Sequence, residues 1–236
     1  MAQRAKHALD FRALREHRIV FPSNYRDSQT DGMMDRVFSI IPPDEIYSRT
    51  GIQFMQVNGL YRLYTENVRM PKLLRAAEKL FTIPDLFNFW LTGVAVAEFT
   101  NATTTQFYDP RKGDGSTEIL EKLGIPTHFL VPVIQPGTIL GGLCGELARK
   151  TGLTSVPVIA PACHDTGSAV AAIARASESV FISLGTWSLL GTEISTPIIN
   201  AEAQKLNFTN EGGVYGTFRL LKNIRGLWLL QRCRQD

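Results

Sequence analysis

Met33, Met34, Val37, Ile40 and Ile41 fall three or four positions apart, which places them on one helical face behind the turn signal Asp31-Gly32. Pro42-Pro43 stops that helix, and Asp44-Glu45 opens a second with acid groups at its positive end. Gly51 stands where the second should finish. Residues 53–93 read as helix with breaks. Leu60, Leu63 and Tyr64 form one stripe, and Leu73, Leu74, Ala77, Leu80 and Phe81 a second. Pro84-Asp85 starts a third segment that ends near Gly93. Ser116-Thr117-Glu118 predicts a capped helix ending at Gly124, ahead of Pro126. Near the start, Leu9-Asp10-Phe11 and Arg18-Ile19-Val20-Phe21 have the make-up of short strands.

The period then changes. Residues 156–160 are apolar and β-branched, and predict a buried strand; residues 169–174 are small and suit a tightly packed helix; residues 180–184 predict a second buried strand. Strand, small-residue helix and strand make an α/β arrangement. The two strands are expected in different sheets facing one cleft. The composition shifts near Arg175, which divides the chain into candidate domains 1–177 and 178–236.

Composition adds mainly exclusions. The 236 residues are 44% hydrophobic and 20% charged, enough apolar material for a core, with a formal net charge of +3. The local basic excess at Arg4, Lys6, Arg12, Arg15 and Arg18 reads as a solvated terminus and not as a nucleic-acid site. No apolar run is long enough to span a membrane, and the charged first 20 residues are not a signal peptide. Cys144, Cys163 and Cys233 show no ligand spacing, which fits a reducing cytoplasm and no disulfide framework. The four histidines show no metal-binding spacing, so no histidine-based metal site is expected.

Candidate chemistry gathers in four segments. His164-Asp165-Thr166 follows the 156–160 strand, at the carboxyl end where open α/β sheets place ligands. A carboxylate there can take a proton from a bound hydroxyl, although Asp165 equally serves as a plain helix cap. Gly185-Thr186 ends the 180–184 strand; such a turn can offer N–H groups and a hydroxyl to phosphate oxygens, or simply close a hairpin. Residues 207–213, with Gly212-Gly213, read most simply as a hairpin turn. Residues 220–232 begin like a strand end and continue as an amphipathic helix, with Asn223 near its start as a cap and Gln231 about two turns on.

Taken together and in order, these segments resemble the FGGY family of carbohydrate kinases, and within it the rhamnulokinase group. The resemblance is carried by residues 24–34 (beginning Asn24-Tyr25-Arg26-Asp27), 50–56, 89–93, 100–106, 164–171, 183–190, 207–213 and 220–232, and it covers nearly everything from 21 to 234. It implies a fold like that of actin and Hsp70, two ribonuclease-H-like α/β domains flanking a cleft. It implies transfer of the γ-phosphate of ATP to the 1-hydroxyl of L-rhamnulose, with Mg2+. Asp165 would be the general base, and His164, Thr166 and Asn223 would contact the sugar. Gly185 and Thr186 would meet the ATP phosphates, and Gln231 the nucleotide. The same resemblance implies that the Asp-x-Gly-x-Ser phosphate hairpin and the glycine-rich adenine site of an intact member are absent from these 236 residues. An inactive fragment of such a kinase is therefore the alternative expectation. An actin-like interaction module is a weaker one, because it has no need of His164, Asp165, Thr166, Thr186, Asn223 and Gln231 together.

Overall fold

The computed structural model describes residues 9–13, 28–154, 156–173, 179–185, 187–226 and 233–234. The expected strand over Arg18 to Phe21, the basic residues 4, 6, 15 and 18, and the segment Tyr25-Arg26-Asp27 lie outside them, as do Thr186 and Gln231.

The first half is largely helical. After strand β1 (Leu9–Ala13) come helices α1 (Met33–Phe38), α2 (Pro43–Thr50), α3 (Gly59–Arg69) and α4 (Pro71–Ala76). The punctuation expected from the sequence is present. Gly51 ends α2 in the left-handed region at φ 65°, where a side chain would be strained and would also meet Ile199. The stripe on α3 works as anticipated: Leu60 and Leu63 are fully buried, beside Val37, Ile41 and Ile46 of the neighbouring segments. Each such aliphatic burial contributes roughly 1.5–3 kcal/mol. Phe38 meets Phe54 and Tyr61 edge-on, with ring centroids 5.2 and 6.2 Å apart.

The second stripe is not one helix. Ala77–Thr82 forms strand β2, antiparallel to β1 with Phe11 opposite Leu80, so Leu80 and Phe81 reach the core from a strand. Helix α5 (Ile83–Thr92) follows and stops at Gly93, φ 78°. Next come β3 (Ala97–Glu98), α6 (Phe99–Ala102), β4 (Tyr108–Asp109), β5 (Asp114–Gly115) and α7 (Thr117–Lys122). Ser116 precedes α7 without a side-chain cap; its buried hydroxyl has no hydrogen-bond partner among the described residues. Then come β6 (Val133–Ile134), β7 (Ile139–Gly142), α8 (Gly145–Thr151), β8 (Pro157–Ile159) and α9 (Asp165–Ala171).

The expected strands at 156–160 and 180–184 exist and belong to different sheets, but neither is buried. β8 pairs with β7 in a two-stranded sheet and exposes Ile159. β9 (Val180–Leu184) is the edge of a four-stranded antiparallel sheet and leaves Val180, Ile182 and Leu184 exposed. That sheet has the order β11-β12-β10-β9, with β10 (Trp187–Ile194), helix α10 (Ala201–Lys205), β11 (Thr209–Gly212) and β12 (Phe218–Arg225). Gly191 faces Leu221 across β10 and β12, where a Cβ would fall 2.5 Å from the leucine Cβ.

Two more expectations change. Residues 209–212 are a buried strand, and the hairpin turn comes later, around Tyr215 (φ 61°) and Gly216 (φ 75°). Asn223 lies inside β12, not at a helix start. The sheet is fastened to the helical half by polar bonds. Asn210 donates from its backbone N–H and from Nδ2 to the carbonyl of Gly51, at 2.9 and 3.0 Å. The hydroxyl of Thr103 accepts from the N–H of Gly212 at 2.8 Å. The Phe99 and Phe218 rings meet edge-on across the same joint, centroids 5.5 Å apart.

Candidate active site

The chain leaves β8, crosses residues 160–163 and enters α9 with His164 as the preceding residue and Asp165 as the first helical one. Asp165 stands at the rim. Its side chain is 54% exposed, and Oδ1 accepts a hydrogen bond from the N–H of Thr166 at 2.9 Å. The cap position belongs to His164, which makes no side-chain cap bond, so Asp165 is the first helical residue and not the cap, and it presents its carboxylate to solvent. Thr166 is buried behind it, and Gly167 packs against Thr100.

The turn is seated from below by a carboxylate that the sequence reading did not single out. Glu98 is fully buried. Its Oε1 accepts from the N–H of Thr100 at 2.9 Å, and its Oε2 accepts from the Thr100 hydroxyl at 2.6 Å and the Cys163 N–H at 2.9 Å. Thr100 Oγ1 in turn accepts from the N–H of His164 at 3.1 Å. Below Glu98 lies Asp85, whose Oδ1 accepts from the Glu98 N–H at 2.9 Å and whose Oδ2 accepts from the Thr82 hydroxyl at 2.6 Å. Burial pushes the Asp85 carboxyl up to about 7 and raises Glu98 as well, because charge is poorly solvated there. Burial, with Glu98 and Asp85 nearby, also raises the Cys163 thiol, which favours its neutral form.

From the other side the turn meets β11 and β12. Glu211 and Arg219 are directly opposite one another across these strands, and Arg219 is fully buried. An Nη2 of Arg219 lies 3.1 Å from Nδ1 of His164 and 3.2 Å from Oε2 of Glu211, while Nε donates to the carbonyl of Gly212 at 2.9 Å. Burial raises the Glu211 carboxyl and lowers the Arg219 guanidinium; each partner's charge opposes the effect. Four residues on along the same face of β12, Asn223 donates from Nδ2 to Oε1 of Gln53 at 3.0 Å.

The structure thus brings His164, Asp165 and Thr166 together with Arg219 and Glu211, and places Asn223 on the strand that carries Arg219. Gly185 sits in the turn between β9 and β10, whose register pairs Leu184 with Ser188; this is the hairpin that the sequence left open. Glu98, Glu211 and Arg219 were missed. A signal existed for two of them: a charged residue next to aromatic or aliphatic neighbours inside a strand, as in Phe218-Arg219-Leu220, and Glu98 ahead of Phe99.

Chemically, the site offers an exposed carboxylate, an imidazole at its side and a backbone turn held by buried acceptors. Such a carboxylate can accept a proton from a hydroxyl placed within hydrogen-bond reach.

Residues 22–172 match the family model for the N-terminal domain of the FGGY family of carbohydrate kinases. A rhamnulokinase of Oceanobacillus iheyensis is 42% identical over 231 residues, which is 97% of this chain and 49% of the relative. One of Bacteroides thetaiotaomicron is 45% identical over 214 residues, 90% of this chain and 44% of the relative. The chain therefore spans about half the length of the curated relatives it matches. Among solved structures, a ligand-bound xylulose kinase of Lactobacillus acidophilus superposes with a TM-score of 0.85 at 19% identity, over 98% of this chain and 47% of its own. The fold is that of the FGGY sugar kinases, and the chain belongs to the FGGY family of carbohydrate kinases.

Proposed function

We propose that this chain supplies the sugar-binding side and the general base of an ATP-dependent kinase that phosphorylates the 1-hydroxyl of L-rhamnulose. The observation that carries the reading is the exposed Asp165 carboxylate beside His164, on a turn clamped by Glu98 and Thr100. The identity to rhamnulokinases supports the choice of sugar.

In this reading Asp165 accepts the proton of the attacking hydroxyl, and His164, Thr166 and Asn223 orient the sugar around it. Gly185 and Thr186 meet the ATP phosphates, and Gln231 the nucleotide. Residues 1–177 belong to the first domain of the kinase and 178–236 open the second, so the sugar and nucleotide sides come from different domains. The site is read as cytoplasmic. Among the described residues no three His, Cys, Asp or Glu side chains converge as a metal cage. Mg2+ needs none where the ATP phosphates and waters fill most of its shell. When bound, the ion would neutralise charge on the phosphates. The chain's own part is positioning and the proton.

The test is coupled ADP release by the protein that carries this chain, with L-rhamnulose, xylulose, fuculose and glycerol as acceptors. L-Rhamnulose should be preferred, and Asp165→Asn should lower turnover by about 10²- to 10⁴-fold while the protein stays folded. A clear preference for another acceptor overturns the sugar, and an Asn variant as fast as the parent overturns the base.

A further inference from the structure

Arg219 is aimed at His164 more than at its own counter-ion. Its Nη2 approaches Glu211 Oε2 at 3.2 Å without hydrogen-bond alignment, and that oxygen and Nη1 have no hydrogen-bond partner among the described residues. The aligned contacts run instead from Nε to the Gly212 carbonyl and from Nη2 to Nδ1 of His164. A guanidinium carries only donors, so Nδ1 must be the acceptor in this pair. An imidazole whose Nδ1 lone pair is engaged holds its single proton on Nε2, the nitrogen that lies 3.9 Å from Asp165 Oδ1. Protonating Nδ1 would set an N–H against a buried cation.

Among the described residues, the charged groups facing the ring include Arg219, Glu211 at 3.7 Å from Nδ1, and Asp165. Burial works against the Arg219 charge, and Glu211, Glu98 and Glu193 work for it. A cationic His164 would form an ion pair with Asp165 and weaken it as a base; a neutral one leaves the carboxylate its basicity.

We propose that Arg219, backed by Glu211, is a positioning residue that fixes His164 as a neutral imidazole with its proton on Nε2, and so presents one hydrogen-bond donor beside Asp165 to an oxygen of the sugar. The donor role rests on the sugar-kinase reading above; the fixed tautomer does not.

The test is long-range proton–nitrogen NMR of the full chain labelled at histidine, with His164→Gln to identify the signal. Nδ1 should resonate as unprotonated and Nε2 as protonated at pH 7; a protonated Nδ1 or a cationic ring overturns the inference. The double variant Glu211→Gln, Arg219→Met removes both charges of the pair together. In it the ring should lose its single tautomer, with Nδ1 partly protonated at pH 7, and a ring that stays locked shows that Arg219 is not what fixes it. If that variant does not fold, the parent spectrum alone still decides the tautomer. Adding L-rhamnulose to the parent should move the Nε2 signal saturably, and the double variant should bind about three- to tenfold more weakly. A saturable shift with xylulose or glycerol in place of L-rhamnulose supports the donor and overturns the sugar assignment. No shift with any of the three overturns the donor role.

Discussion

Asp85 makes the stability of this fold depend on pH, and the direction follows from its burial. The carboxyl is almost completely buried under Glu98, and its pKa rises from an ordinary 3.8 to about 7. Between those values the folded protein holds a proton that the unfolded chain has released. Stability from this group is therefore full below about pH 4 and is lost progressively as pH rises towards 7, after which both states are ionised and the curve levels. A shift of about three units corresponds to about 4 kcal/mol. Asp85→Asn keeps the shape, can still accept from the Glu98 N–H with its carbonyl oxygen, and can donate to the Thr82 hydroxyl with its amide. The variant does not titrate, so its stability relative to the parent should increase by about 4 kcal/mol between pH 4 and pH 8. Urea unfolding of both proteins at one-unit pH steps measures this difference, because titrating groups that do not feel Asp85 cancel. A difference that stays constant across the range, or that moves in the parent's favour with rising pH, would refute the argument that burial holds a proton on Asp85.

Asn210→Ala should destabilise the joint between β11 and the helical half by about 2–4 kcal/mol, read by urea unfolding; Asn210 bonds Gly51 and Ile198 through both side-chain ends, and its loss leaves the Ile198 N–H and two carbonyls without it. Gly212→Ala should cost about 1–3 kcal/mol and lower the thermal midpoint, since the added Cβ would lie 2.7 Å from the Phe99 ring and 3.1 Å from its carbonyl oxygen. Asn223→Leu should weaken sugar binding with little loss of stability, because it removes one half-buried bond to Gln53; calorimetric titration with L-rhamnulose checks it.

The sequence reading succeeded where local chemistry decides structure. Stripes three and four apart described α1 and α3, and start signals closed by Gly51 and Gly93 described α2 and α5, because helix faces and left-handed stops are written within a few residues. It failed where a distant partner decides. Leu80 and Phe81 continue a helical spacing, yet their backbone pairs with Phe11 and Asp10 in a strand nearly 70 positions earlier. Gly212-Gly213 looks like a turn. The first glycine is there instead because the Phe99 ring lies against β11, a contact that no local pattern encodes. Buried character at 180–184 was inferred from apolar composition, but β9 is an edge strand whose outer side chains face solvent.

The site shows the same division. Asp165 and His164 could be proposed from the sequence because a carboxylate between a strand and a small-residue helix is a recognisable local arrangement, which the family resemblance then gave a role. What holds them was not, since Glu98 lies 65 positions before Cys163 and Arg219 lies 55 after His164. This has a physical consequence. The turn is fixed by directional bonds from buried charged groups on both sides, not by apolar packing alone. Buried charges stabilise a fold poorly compared with apolar side chains of like volume, because desolvation offsets much of their attraction. They do fix orientation: the carboxylate of Glu98 sets where the Cys163 N–H points, and the Arg219 guanidinium sets which imidazole nitrogen carries the proton. A turn that only had to connect β8 to α9 would not need either. In the proposed kinase reading, a turn that holds Asp165 against a reacting hydroxyl gains from both, since a misplacement of about 1 Å can cost on the order of a hundredfold in rate.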